Sequence, residues 1–257
     1  MTGPRTRRLV FYLSLVGFWQ AVHTWGPWPP WVVPGPVDVA RALVQGFADT
    51  TFLIAIWVSM RRLVIGYGLS LIVGVVLGLI VGRSRWMEDT IGSLMLGLQA
   101  LPSICWLPLA ILWFGLSENA IQFVVIMGAL LAIAIHTDDG VKNIPPLYEK
   151  AGRNMGANGW RLLWCVVLPA ALPAIMSGAK LGWSFAWRSL MAAELLYVSL
   201  GLGQLLMMGR ELNDMAQVIA VMVIIIALGL VMDQFIFAKL ELSVRRRFGL
   251  AGGLERR

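Results

Sequence analysis

Long apolar runs separated by short polar stretches are the feature that most constrains how this chain folds. A helix needs about 20 mostly apolar residues to cross a bilayer, and a chain in hydrocarbon must satisfy its backbone hydrogen bonds internally. The pattern therefore predicts an all-α, polytopic membrane bundle of about six transmembrane helices. The predicted spans are Leu9–Trp25, Leu63–Val81, Ile91–Phe114, Ile121–Ile135, Ile175–Val198 and Val218–Phe237.

The composition supports a membrane protein over the soluble classes. Of the 257 residues, 58% are hydrophobic and 14% are charged, whereas soluble domains are about half apolar and a quarter charged. We therefore expect residues 1–257 to form a single transmembrane domain. Cys105 and Cys165 lie in or beside apolar runs, so they indicate neither a metal site nor a disulfide framework.

The basic residues predict the orientation of the spans. The net charge of +7 comes from short loops between apolar runs, which is typical of a membrane protein and argues against nucleic-acid binding. No A-x-A-like cleavage site follows the first run, so we expect it to be retained. The cations between the predicted spans fall into two groups, one on each side of the membrane. Cytoplasmic loops carry the excess of Lys and Arg, so the side with the larger group is predicted to be cytoplasmic. Both termini and the loop 138–172 are on that side. The larger group is Arg5, Arg7, Arg8, Arg83, Arg85, Lys142, Lys150, Arg153, Arg161, Lys239 and Arg245–Arg247, and the smaller group is Arg41, Arg61, Arg62 and Arg210.

The polar segment 144–169 must lie in water on one face of the membrane, because its charges are too costly in hydrocarbon. Asn143 and Pro145-Pro146 predict the start of a short helix, and Gly156 predicts its end at a positive φ. Residues four apart share a face of this helix, so Leu147, Ala151 and Met155 are predicted to align, and Glu149 to pair with Arg153.

A second short helix is predicted to begin at Asn158. Pro169 disfavours helical conformation at Leu168, so this helix is expected to end there and the next span to begin at Pro173. Small residues on one side of the loop would let a partner protein pack closely, but a structured loop without a partner fits the same residues. These small residues are Ala151, Gly152, Gly156 and Ala157.

The loop resembles the signature of permease subunits of bacterial ABC importers, which reads E-A-A, three residues, G, nine residues, then I-x-L-P. The matching segments are Ala151-Gly152-Arg153, Gly156-Ala157 and Val166-Val167-Leu168-Pro169. Lys150 stands at the family's glutamate, with Glu149 one place earlier, and Gly152 replaces the second alanine. The contact of the family glutamate is therefore expected to have moved to Glu149 or to have been dispensed with. The resemblance implies that the ATPase-coupling loop comprises Glu149, Lys150, Ala151, Gly152, Arg153, Met155, Gly156, Ala157, Leu168 and Pro169.

Other segments are similar to the branch of these permeases that imports nitrate, sulfonates, taurine or bicarbonate. They are Pro34-Gly35-Pro36, Gly178–Gly182, Ala186–Leu195, Gly201-Leu202-Gly203 and Asp233. The resemblance implies a multi-pass protein of the bacterial inner membrane that imports a small anion, with an aliphatic sulfonate or taurine as the leading candidate. Nitrate, bicarbonate and other small nutrients remain alternatives.

The resemblance also implies three kinds of protein partner. These are cytoplasmic ATPase subunits that bind ATP and Mg, a periplasmic or lipid-anchored solute-binding protein, and a second permease subunit. A homodimer is the expectation, because symmetric pairs are common. The chain has no G-x-x-x-x-G-K-[ST] segment to cradle phosphates, so we expect it to bind no cofactor and to be a transport subunit rather than an enzyme.

Two charges in the fifth predicted span, Arg188 and Glu194, are candidate pathway residues, because a charge in hydrocarbon normally faces a cavity or a partner. Six residues apart on a helix, they point roughly 120° from each other and lie about 9 Å apart along the axis, so they are not expected to neutralise each other. Arg188 either attracts the transported anion or forms an ion pair between spans. Glu194 is expected to have a structural or gating role.

Small residues four apart in the second span predict a close contact with another helix, either within this chain or between two permease subunits. They are Gly66, Ser70, Gly74, Gly78 and Gly82. An ion-coupled secondary carrier is the alternative class of transporter. Such carriers often contain inverted repeats, and no internal repeat is evident here.

Overall fold

The computed structural model describes residues 4–29, 31–196 and 199–240, and the side chains at 4, 5 and 236 are outside that description. The prediction of an all-α fold is confirmed, since the described part is helical and contains no strand. The predicted cations Arg245–Arg247 and the predicted span end at Val198 lie outside the described residues. The helices are α1 (Pro4–Trp25), α2 (Pro36–Ala48), α3 (Thr51–Gly82), α4 (Arg85–Gln99), α5 (Ser103–Phe114), α6 (Glu118–Lys142), α7 (Pro146–Asn154), α8 (Gly159–Leu196), α9 (Leu202–Glu211) and α10 (Met215–Leu240).

Four helices of the described part, α3, α6, α8 and α10, are long and apolar enough to cross a membrane. A fifth span results if α4 and α5, which are bent by 103° at a short break, cross together. The sequence predicted about six spans, and the difference lies in α1. This helix forms as expected, but arginines at its start and Gln20, His23 and Thr24 near its end make it too polar to qualify.

The chain divides into two compact units. The first comprises Met1–Ser59 and Glu194–Leu228, and the second comprises Met60–Ala193 and Gly229–Arg257. The helices α3, α8 and α10 each contribute residues to both units. The predicted coupling loop and Arg188 belong to the second unit, whereas Glu194 belongs to the first.

The second unit contains α6, the most buried of the four long apolar helices in the described part of the chain. The small residues of α3 pack against it. A Cβ at Gly74 would lie 2.9 Å from the Leu130 carbonyl oxygen, and one at Gly78 would overlap the Ala134 carbonyl oxygen. Of the two roles left open for this stripe, the structure therefore favours helix packing within one chain, since these glycines let the two backbones approach closely.

Candidate functional site

The predicted coupling helix is α7. Pro146 occupies its first position, where a missing backbone N–H costs nothing, and the chain leaves the helix through Gly156 at φ +84°. The Ala157 amide then donates to the Gly152 carbonyl at 2.9 Å and closes the turn. Asn143 was expected to cap α7 and instead follows the end of α6, where its amide side chain donates to the Asp139 carbonyl at 2.8 Å.

The second helix begins at Gly159, directly after Asn158, but it does not end at Leu168 as the sequence suggested. It continues to Leu196 as the membrane helix α8, so Pro173 lies inside the helix rather than at its start. A π-helical turn at Leu163–Val167 directly precedes Pro169. Such a turn shifts the hydrogen-bond register, which accommodates the missing N–H of Pro169 without breaking the helix. The predicted coupling loop is thus continuous with a membrane helix.

An apolar stripe on the outer face of α7 is exposed. Leu147 is 70% exposed and Met155 is 83% exposed, and Ala151 lies between them at the predicted four-residue spacing. Tyr148 is also exposed, beside Leu147. Large apolar side chains clustered in an otherwise polar segment mark an interaction surface. We call Leu147, Ala151 and Met155 the α7 stripe.

The small residues of the loop do not all face outward. Gly152 and Ala157 are buried, while Ala151 and Gly156 are exposed. A Cβ at Gly152 would lie 2.8 Å from Val166 Cγ2, so the glycine allows α7 to pack against the first turns of α8. The loop residues Ile144 and Ala157 share a buried core with membrane-helix residues, namely Val141, Leu162, Val167, Ala171 and Ile175. The loop that carries the α7 stripe is therefore packed against α6 and α8.

Ion pairs tie α7 to its surroundings. Glu149 lies 3.6 Å from Arg153, which confirms the predicted pair, and 3.5 Å from Arg83 just after α3. Lys142 at the end of α6 likewise contacts Asp138 at 2.7 Å and Glu88 at 2.9 Å. Glu149 is thus held by its own chain.

A cationic hollow lies beside the coupling helix. Lys150 is exposed at its edge, and the hollow has a volume of about 670 Å³. Its charged lining residues are Arg83, Arg85, Lys142, Glu149, Lys150 and Arg153. With five cations and one acid, the hollow presents a net positive surface next to the α7 stripe.

Glu194 is fully buried in the first unit, as part of a hydrogen-bonded cluster. Its two carboxylate oxygens lie 2.9 and 2.8 Å from Ser59 Oγ, and one also accepts from the Gly203 amide at 3.0 Å. Ser59 Oγ accepts in turn from the Leu202 amide at 2.9 Å. Both side chains therefore cap the first turn of α9, where a negative charge is favoured. This contact supports the structural role expected for Glu194. Sequence analysis missed Ser59.

Arg188 is exposed on α8, with its guanidinium carbon 5.5 Å from the centre of the Phe185 ring. Within residues 4–29, 31–196 and 199–240, no acidic side chain forms an ion pair with it. The expectation that Arg188 and Glu194 do not neutralise each other stays a prediction. The described part of this chain gives no support to an ion pair between its own spans at Arg188.

Arg62, unlike Arg188, is buried and has an acidic partner. It is 3% exposed in α3, and its guanidinium donates to both carboxylate oxygens of Glu118. A buried arginine needs such a bidentate partner, because an unpaired buried charge is strongly destabilising. The pair explains why a cation is tolerated at a place where the positive-inside pattern disfavours one. Sequence analysis had not identified Glu118 as its partner.

Residues 74–245 match the family described as the binding-protein-dependent transport system inner membrane component. The chain belongs to this family. The permease is 35% identical to an ABC transporter permease protein of Methanocaldococcus jannaschii, over 89% of each chain. It is 27% identical to the nitrate import permease of Synechocystis sp. over 79% of this chain and 78% of that protein. It is 28% identical to the taurine transport system permease of Escherichia coli over 84% of this chain and 82% of that protein.

A solved chain of the MetNI methionine ABC transporter superposes on the permease with a TM-score of 0.65 and 18% identity, over 76% of this chain and 96% of that chain. This likeness shows the fold. Together with the family match, it identifies the protein as the permease subunit of an ABC importer. The polytopic helical architecture inferred from the apolar runs is therefore that of a transport subunit.

Proposed function

We propose that this permease carries a small anion, an aliphatic sulfonate such as taurine, into the cell, and that a separate ATPase docked on the α7 stripe drives transport. The observation that carries the ATPase part is the exposed stripe on a helix packed against membrane helices. Relatives named for nitrate and for taurine support the anion, since nitrate and the sulfonate group share a compact, negatively charged oxygen cluster. Nitrate and bicarbonate are the rival cargoes.

The contacts of α7 explain how movement of an ATPase would reach the membrane. Gly152 packs against Val166 of α8, and Glu149 holds Arg83 beyond α3. The residues that flank α7, Ile144 and Ala157, share a buried core with Val141 of α6. A displacement of α7 would therefore be transmitted to helix ends by close packing rather than absorbed by a flexible loop.

The proposed assembly has this loop and both termini in the cytoplasm of a bacterial cell, with the permease in the inner membrane. A second copy of the permease completes the pathway, and a periplasmic or lipid-anchored solute-binding protein delivers the anion.

Because Glu149 is paired within the chain, Lys150 is the charge that the loop offers to the ATPase. We expect an acidic side chain of the ATPase to face it.

A single apolar-to-acidic substitution tests the docking surface. Met155→Glu places a charge at the most exposed residue of the α7 stripe, where burying it unpaired would weaken the complex by at least tenfold, on the order of 2 kcal/mol or more. The ATPase, tagged and coexpressed, should therefore no longer copurify with the permease, and ATP-driven uptake of labelled taurine should be lost. The control is Met208→Glu on α9, another exposed methionine, which should leave ATPase binding unchanged.

Two results would count against the proposal. Normal ATPase binding and uptake by Met155→Glu would remove the docking surface. Uptake that follows an ion gradient without ATP would establish the secondary-carrier alternative. Competition by excess methanesulfonate, nitrate or bicarbonate against labelled taurine distinguishes the sulfonate from the rival cargoes.

A further inference from the structure

The break between α4 and α5 creates a cavity beside Arg188 of α8. The two helices bend by 103° where Gln99 ends α4 and Ser103 begins α5. The cavity has a volume of about 300 Å³, and its walls come from α4, α5, α6 and α8. The lining residues with polar or aromatic side chains are Gln99, Ser103, Trp106, Phe185 and Arg188.

The charge of this cavity is unbalanced. Arg188 contributes a guanidinium, and no acidic residue of the described chain lines the cavity or forms an ion pair with Arg188. A cation within a membrane helix is costly unless a counter-charge or water stabilises it. An incoming anion would supply that counter-charge, and the Arg188 side chain is exposed.

Neighbouring contacts position the cation. Phe185, one turn before Arg188, lies under the guanidinium at a distance typical of a cation–π contact. A Cβ at Gly128 would overlap Ser189 Oγ, so the glycine in α6 allows α8 to approach closely next to Arg188. Trp106, another lining residue, packs its ring edge-on against Phe123 of α6, with 6.2 Å between the ring centres.

We propose that this cavity is a transient binding site for the oxyanion group of the transported solute. Arg188 forms the ion pair, the Gln99 amide and the Ser103 hydroxyl donate hydrogen bonds, and the apolar walls accommodate a short carbon chain. A guanidinium suits this task because its planar donors match two oxygens of a sulfonate, nitrate or carboxylate. The volume lies at the small end of ligand pockets, about 300–1,000 Å³, so the site takes solutes of a few heavy atoms.

This inference rests on the proposed function, because it requires that the cargo is an anion. The test uses the assembled importer, with permease, ATPase and solute-binding protein reconstituted in proteoliposomes and labelled taurine as the probe. Arg188→Gln should lower kcat/KM for uptake roughly ten- to a hundredfold, which is the effect of losing a charge-assisted contact. Arg188→Lys should recover part of the loss, because it restores the charge without the planar donors.

Two milder substitutions and one control keep the test independent of folding. Ser103→Ala and Gln99→Met each remove hydrogen bonding with little change in volume, and each should raise KM about two- to tenfold while kcat changes less. Arg41→Gln removes an exposed cation of α2 and should leave uptake unchanged. Assembly of each variant is checked by copurification with the ATPase.

The outcomes separate the two proposals. If the wild-type importer carries taurine and Arg188→Gln carries it equally well, the cavity site is wrong and the proposed function stands. Loss of assembly in Arg188→Gln, with normal KM in Ser103→Ala and Gln99→Met, would show that Arg188 holds subunits together and would also overturn the site. If the wild-type importer carries none of taurine, methanesulfonate, nitrate or bicarbonate, the proposed function itself fails.

Discussion

Replacing Ser59 by alanine should destabilise the first unit far more than removal of one hydroxyl normally does. Ser59 Oγ lies 2.8 Å from a Glu194 oxygen and accepts from the Leu202 amide at 2.9 Å, and both Ser59 and Glu194 are fully buried. The variant leaves a buried amide without its acceptor and takes one donor from a buried carboxylate. Each loss costs about 1–3 kcal/mol, so we expect about 2–6 kcal/mol in total.

The matched control is Ser70→Ala in the same helix. Ser70 is also fully buried, but its hydroxyl donates to backbone carbonyls, that of Gly66 in its own helix at 2.7 Å and that of Ile126 in α6 at 3.3 Å. Both carbonyls belong to helices and keep their helical partners after the substitution, so the cost should be below about 1.5 kcal/mol.

Thermal unfolding of the purified permease, followed by tryptophan fluorescence, measures the difference. At about 2–4 °C per kcal/mol for a chain of this size, Ser59→Ala should lower Tm by roughly 4–24 °C and Ser70→Ala by less than about 6 °C. Equal Tm values for the two variants would refute the reasoning. That result would mean that the Glu194 cluster does not hold the start of α9.

Two further predictions address helix packing and the coupling charge. Gly78→Val should abolish recovery of folded permease by size-exclusion chromatography, because its Cβ would overlap the Ala134 carbonyl oxygen, whereas Gly68→Val, with open space around it, should behave as wild type. Equal recovery of both would contradict the close α3–α6 contact. Lys150→Glu should weaken ATPase copurification severalfold more than Lys150→Gln, because it places like charges together. Tighter binding of Lys150→Glu would show that the ATPase presents a cation there.

Local chemistry made much of the coupling loop predictable. Pro146 and Gly156 bound α7 because one needs no backbone N–H and the other adopts a positive φ at little cost, and both effects are local. The Glu149–Arg153 pair follows from helical spacing alone. The continuation of α8 through Pro169 was not predictable by the same reasoning. It depends on a π-helical turn inside a long, packed helix, where tertiary contacts outweigh the preference of the residue before proline.

The two arginines in membrane helices show what a sequence alone cannot separate. Hydropathy placed Arg62 just outside the second predicted span and Arg188 inside the fifth, and it identified an acidic partner for neither. The distinction comes from Glu118, which lies 56 residues from Arg62 along the chain and is brought to it only by the fold. Arg62 therefore has a partner within its own unit and serves stability. Arg188 has no acidic partner in the described chain and faces a cavity, so its charge is open to a solute.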